Sequence, residues 1–183
     1  MKRLFAGIAV LILSGCLPIN TKPVEIYKPP LKPASCNSKI PVSIEVSAPN
    51  ALDTTRILYE KDGKYLYYEF SEWFCEPACL VEEALKSAIA ADGAAPCTLE
   101  VEVLDFGPWE SKRSFGVMLK ALETLKCNGK NRKKLFYYRR QIKKTSLKEA
   151  SSVMGQLLSK LADDTCKWIG ELTRQIGGAP ESE

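Results

Sequence analysis

The chain has 183 residues, 26 Lys and Arg against 22 Asp and Glu, a net charge of +4 and no histidine. Lack of histidine excludes Ser-His-Asp and Cys-His catalysis and every imidazole-ligated metal. Neither a GxGxxG nor a GxxxxGK loop occurs, which argues against nucleotide binding, and the length suits one domain with a sizeable core.

Met1 to Cys16, MKRLFAGIAVLILSGC, joins a charged start (Lys2, Arg3) to an apolar run from Leu4 to Leu13. The run has the length of a signal-peptide core and is too short to cross a bilayer. Its ending, Leu13-Ser14-Gly15-Cys16, resembles a bacterial lipobox. That pattern predicts cleavage before Cys16 and acylation there, a covalent lipid being the only non-protein group expected. Three acyl chains, at about 0.8 kcal/mol per buried methylene, make such an anchor effectively permanent. Residue 17 is Leu and not Asp, which by the lipoprotein sorting rule favours the outer membrane, facing the periplasm. No later run approaches the length of a membrane span.

Pro18, Pro23, Pro29, Pro30 and Pro33 make residues 17–35 read as a semi-rigid tether, reaching up to about 60 Å at about 3.1 Å per residue, and the lipidated Cys with its Pro-rich tether is assigned 16–38. Val24 to Tyr27 alternatively adds an edge strand. A domain over 39–176 follows, and 177–183 reads as a flexible tail. Val42, Ile44 and Val46 alternate as a half-buried strand. Asp62-Gly63 predicts a tight hairpin turn between strands at 56–60 and 64–70. Pro77 opens a helix whose stripe Val81, Ala84, Leu85, Ala88 and Ile89 runs on before Gly93. Leu99, Val101 and Val103 alternate with glutamates as another strand.

Residues 115–127 have good helix propensity, but Asn128-Gly129 between them and the aromatic-rich 135–142 segment predicts a second hairpin. Ser146 and Glu149 form a capping box for a closing helix of roughly thirty residues, about 45 Å long. The order predicts an α+β fold: a mixed, mostly antiparallel sheet with two helices packed on one face.

The block at 44–73 (IEVSAPNALDTTRILYEKDGKYLYYEFSEW), Pro77 with LVEEALKSAI at 80–89, LEVEVLDFGPW at 99–109 and the closing helix resemble the ABC-type transport auxiliary lipoproteins, the PqiC-like group. The likeness spans roughly 24–176 and departs from the family pattern after Trp73, where Cys75 and Cys79 stand. It implies a non-enzymatic accessory subunit, facing the periplasm, that accompanies an MCE-domain protein and an ABC permease–ATPase pair in moving lipid between membranes. It also implies a homo-oligomer as one arrangement. A free-standing lipid-binding or outer-membrane assembly lipoprotein is the alternative.

With Cys16 committed to lipid, Cys36, Cys75, Cys79, Cys97, Cys127 and Cys166 remain, an even set that reads as disulfides outside the cytoplasm rather than as a metal or redox site. A hairpin centred near Lys112 would place Cys97 opposite Cys127, within bridging range. A local Cys75–Cys79 bond would then leave Cys36 with Cys166 by remainder.

Between Glu123 and Glu149 there is no acid, whereas Lys126, Lys130, Arg132, Lys133, Lys134, Arg139, Arg140, Lys143, Lys144 and Lys148 all fall there. Two readings fit. The run meets anionic headgroups or an acidic partner, with Lys130, Arg132, Lys133, Lys134, Arg139 and Arg140 as contacts, or it is a solvated edge protected by lysine. Export makes nucleic acid an unsuitable partner. Trp73, Trp109 and Trp168 read as core, with a lipid-contacting groove beside Tyr65, Tyr67 and Tyr68 as the other option.

Overall fold

The computed structural model describes residues 22–33, 38–91, 95–143 and 146–177. Cys16, its signal sequence, Cys36 and the tail from 178 onward lie outside these. The described elements, in chain order, are β1 (Glu25–Tyr27), β2 (Ser38–Ser47), β3 (Arg56–Lys61), β4 (Lys64–Trp73), α1 (Pro77–Lys86), β5 (Ile89–Ala91), β6 (Cys97–Ser111), β7 (Ser114–Cys127), β8 (Lys130–Ile142) and α2 (Leu147–Gly177). The fold is α+β, a mixed sheet with the two helices on one face.

The sheet is organised by β6, fifteen residues long. One edge pairs antiparallel with β7 along nearly its whole length. The other edge is shared: β2 runs parallel to its first half, from Ser43 opposite Thr98 to Ser47 opposite Glu102, and β3 runs parallel to its second half at Trp109 and Glu110. The sheet therefore forks, with β5 beyond β2 in one arm and β4 then β1 beyond β3 in the other. On the far side, among the described residues, β8 pairs only with β7. The longest ladders are the antiparallel ones, β6–β7 and β7–β8.

Two turns follow from their dipeptides. Asp62-Gly63 and Asn128-Gly129 have φ of 50° and 77°, and 50° and 73°, the consecutive positive angles that match the twist of a two-residue hairpin. In β7 the hairpin signal prevails over helix propensity because the segment gains a strand partner on each edge.

The apolar face of α2 supplies Ala150, Met154, Leu158, Leu161, Ala162 and Ile169, all fully buried. It packs on β7, β8 and β2, while α1 packs on β2, β6 and α2. Opposite it, Leu99, Val101, Val103, Val117, Leu119 and Ala121 are buried at alternating positions. Each such large aliphatic side chain contributes about 1.5–3 kcal/mol on leaving water.

Two expectations are corrected. The helix from Pro77 ends at Lys86, where the Ser87 hydroxyl donates to the Ala84 carbonyl at 2.6 Å. Ala88 and Ile89 are buried beyond that end, Ile89 opening β5 beside β2, so two elements in succession extended one apolar stripe. The second concerns residues 22–33, where the edge-strand alternative at Val24 to Tyr27 holds and the spacer reading does not. β1 pairs in parallel with the end of β4, Pro29 is buried, and the Lys32 amide donates to Ser159 Oγ on α2 at 2.9 Å. The strap crosses α2 at Gly155, where a Cβ would collide with the backbone of Pro30.

Candidate interaction surfaces

The six basic residues singled out on β8 fall on both faces of the sheet. Register pairs Glu123 with Lys134, Leu125 with Arg132 and Val117 with Arg140, so Lys130, Arg132, Lys134 and Arg140 share the helix side, while Lys133 and Arg139 lie on the outer side. Three have intramolecular partners. Lys134 lies over Phe136 and Trp168, 4.8 and 5.8 Å from the ring centroids; Arg140 donates to Gln156 Oε1; and Arg139 stacks 4.0 Å from the centre of Trp109. Lys130, Arg132 and Lys133 form no ion pair among the described residues and stand exposed at the end of β8 nearest the Asn128-Gly129 turn. The expected patch is thus an edge strand, basic on both sides, with its freest charges at one end.

The outer face opposes charges. Glu45, Glu100 and Glu102 of β2 and β6 border a shallow depression of about 490 Å³ that Leu122, Thr124 and Lys133 close on the other side. Lys126 is ion-paired with Glu100 across β6–β7. Further along the same face, towards the β6–β7 turn, Trp109 lies against Gly116, whose Cβ would come within 2.7 Å of the indole ring, and Arg139 covers it. Leu135, Tyr137 and Tyr65 remain about half exposed. Tyr65 donates to Asp105 Oδ2 at 3.2 Å, and burial raises that carboxyl above its ordinary range.

The tryptophans do not assemble a groove. Trp73 is edge-on to Phe106 at 5.5 Å, Trp168 edge-on to Phe136 at 6.3 Å, and all three indoles are under 10 % exposed in separate places, Trp109 at 7 % being the outer-face one.

A group that the sequence reading did not single out lies between sheet and helix. Glu123 is fully buried, accepts a hydrogen bond from Thr165 Oγ1 at 2.7 Å, and leaves its second oxygen without a partner among the described residues. Burial pushes its carboxyl up to about 8, against the Thr165 hydrogen bond and the charge of Lys134. Its signal was parity: Leu119, Ala121 and Leu125 occupy the same side of β7. One residue before Thr165 on α2, Asp164 accepts from Lys160 Nζ and Tyr138 Oη, each at 2.8 Å. Partial burial would raise Asp164, but these donors hold it below its ordinary value.

Disulfides join Cys97 to Cys127, which face each other in the β6–β7 register with Cα atoms 4.4 Å apart, and Cys75 to Cys79, 6.0 Å apart. The second spans the start of α1, whose N-cap Glu76 makes no side-chain cap bond. Glu83 lies near those sulfurs, but a disulfide offers no thiolate to a metal. Cys166 is also disulfide-bonded. The pairing expected by remainder involves Cys36, which lies outside the described residues, as does Cys16.

No family model matches the sequence. It is 31% identical over 163 residues to an uncharacterized protein of Aquifex aeolicus strain VF5, across 88% of this chain and 86% of that protein. The fold is similar to the crystal structure of protein XCC0632 from Xanthomonas campestris, described under DUF330, with a TM-score of 0.72 at 16% identity over 83% of this chain and 99% of that one. A solved structure of another uncharacterized protein gives 0.66 at 18% identity, over 81% and 99%. The chain therefore belongs to the family of the Aquifex aeolicus protein and has the fold also seen in XCC0632.

Proposed function

We propose that this protein is a non-enzymatic, lipid-anchored accessory subunit of an MCE/ABC-type lipid-transport system, held at Cys16 in the outer membrane and facing the periplasm. The observation that carries the reading is the polarity of the sheet. The chain arrives from the anchor at the β1 edge, and the basic β8 edge lies at the other side, beyond β4, β3, β6 and β7. Five strand spacings at about 4.8 Å put the two edges roughly 24 Å apart. An anchor at one edge and a basic rim at the other suit a subunit that stands on a membrane and meets an acidic partner above it. This arrangement favours a protein over the anchoring membrane's own headgroups as the contact of Lys130, Arg132 and Lys133. The lipobox and the resemblance to the auxiliary lipoproteins point the same way.

A photo-crosslinking residue at position 132 or 133, in intact envelopes, tests this. An MCE-domain protein recovered in the crosslinked product, with an acylated Cys16 peptide, is the expected result. Crosslinks only to other copies or to an outer-membrane protein would replace it with the free-standing assembly lipoprotein.

A further inference from the structure

We propose that one side of the β1–β4 ribbon seats in the interface of the membrane that holds Cys16, so that the domain is oriented by a protein–lipid contact as well as tethered by acyl chains. The proposal rests on the anchor assigned above. Tyr27 pairs with Trp73 and Ile26 with Glu72. Alternation then puts Val24, Ile26 and Lys28 on the same side as Phe70, Glu72 and Phe74. Val24, Ile26 and Phe74 are 50%, 67% and 54% exposed, and Phe70 is 37% exposed. Tyr27 and Trp73, on the opposite side, pack into the core.

Charge completes the pattern. Lys22 lies over the Phe70 ring at 5.9 Å and Lys28 over the Phe74 ring at 4.3 Å. In both the ammonium lies over an exposed aromatic face, so the two apolar rings carry cations at their rim, the pairing of apolar body and charged head that suits a bilayer boundary. The acid on this side, Glu72, accepts from the Thr55 hydroxyl at 2.9 Å and is partly buried. The Lys28–Glu83 pair, at 3.6 Å and well exposed, leaves Lys28 available to headgroups.

Chain length selects the occupant. Five residues separate Cys16 from Lys22. Even fully extended they span about 20 Å, so the start of β1 cannot leave the neighbourhood of an acylated Cys16. Because the strap is fixed to α2 through Pro30 and Lys32, bringing its start to the membrane brings the whole domain with it. An exposed apolar side rimmed by lysine and confined to the lipid surface meets the requirements of interfacial binding.

The full chain, expressed with its signal and reconstituted into vesicles of phosphatidylethanolamine and phosphatidylglycerol, carries an environment-sensitive fluorescent residue at position 26 or, for comparison, at position 113 in the β6–β7 turn. Brominated lipids should quench position 26 about threefold more than position 113. Phe74→Ser with Lys28→Gln should erase that difference while the protein still floats with the vesicles. Flotation with equal quenching at both positions overturns the proposal and leaves the anchor standing. Failure to float, with an unmodified Cys16 peptide, overturns the anchor and the proposal together.

Discussion

Glu123 shows what one side chain changes. Its carboxyl is fully buried and half satisfied, with its titration pushed up to about 8, chiefly by burial. The folded protein therefore binds this proton more tightly than the unfolded chain, in which a glutamate titrates near 4.3. Between those values the native state holds more protons, so the group's contribution to stability falls as pH rises from about 4.5 to about 8 and is flat outside that window. Glu123→Gln keeps the Thr165 hydrogen bond and removes the charge. We expect chemical denaturation to show the variant about 1–3 kcal/mol more stable than wild type at pH 8.5 and close to it at pH 4, with the difference growing between. Equal pH profiles for the two proteins would mean that water or Lys134 satisfies the ionised carboxylate.

At the scale of elements, Cys97–Cys127 closes the long β6–β7 hairpin at the end opposite its turn. A cross-link at sequence separation 30 should stabilise by about 3.6 kcal/mol through the unfolded chain, and urea unfolding of Cys97→Ala/Cys127→Ala measures it. The strap supplies another prediction. Gly155→Leu places a side chain where the Pro30 backbone lies, so β1 should detach from β4 while the rest of the sheet holds. Hydrogen exchange should then accelerate at Phe74, whose amide donates to the Tyr27 carbonyl, and at Lys32, and remain unchanged in β6 and β7. Proteolysis by trypsin would miss the change, because Lys22, Lys28 and Lys32 each precede proline.

Most elements were legible because local signals agreed with tertiary ones. The Asp62-Gly63 and Asn128-Gly129 turns set their hairpins from two residues each, and α2 begins at Leu147, directly after Ser146, with Glu149 in its first turn. The β6–β7 turn likewise made the facing of Cys97 and Cys127 a matter of counting. What stayed illegible depended on partners distant in sequence. The division of β6 between β2 and β3 leaves no local mark, and neither does the packing of a proline-rich strap against a glycine 125 residues later, nor the bond between Lys32 and Ser159 across a separation of 127. The basic run was visible as charge, but only the register shows that it divides between two faces and that Lys134, Arg139 and Arg140 are engaged within the domain.

At the scale of the molecule, the two edges of the sheet differ in what they offer. Reversing Lys130, Arg132 and Lys133 to glutamate together should change unfolding free energy by less than about 1 kcal/mol, since these side chains are exposed and form no ion pair among the described residues. The same change should abolish the crosslink to an acidic partner. Loss of stability instead would show that β8 is built into the fold more tightly than its exposure indicates.

The shared edge of β6 also sets an order in time. β3–β4, β6–β7 and β7–β8 each join consecutive strands through a two-residue turn, so these three pairings close the shortest loops and have the lowest entropic barriers. β2 and β3 are synthesised before β6, yet Ile44 pairs with Leu99 and Glu60 with Trp109. Two of the earliest strands to be made must therefore wait for a template that follows α1 and β5 in the chain. During that interval the nascent chain carries strand edges without their final neighbour, and this is the stage at which it most needs protection from other chains.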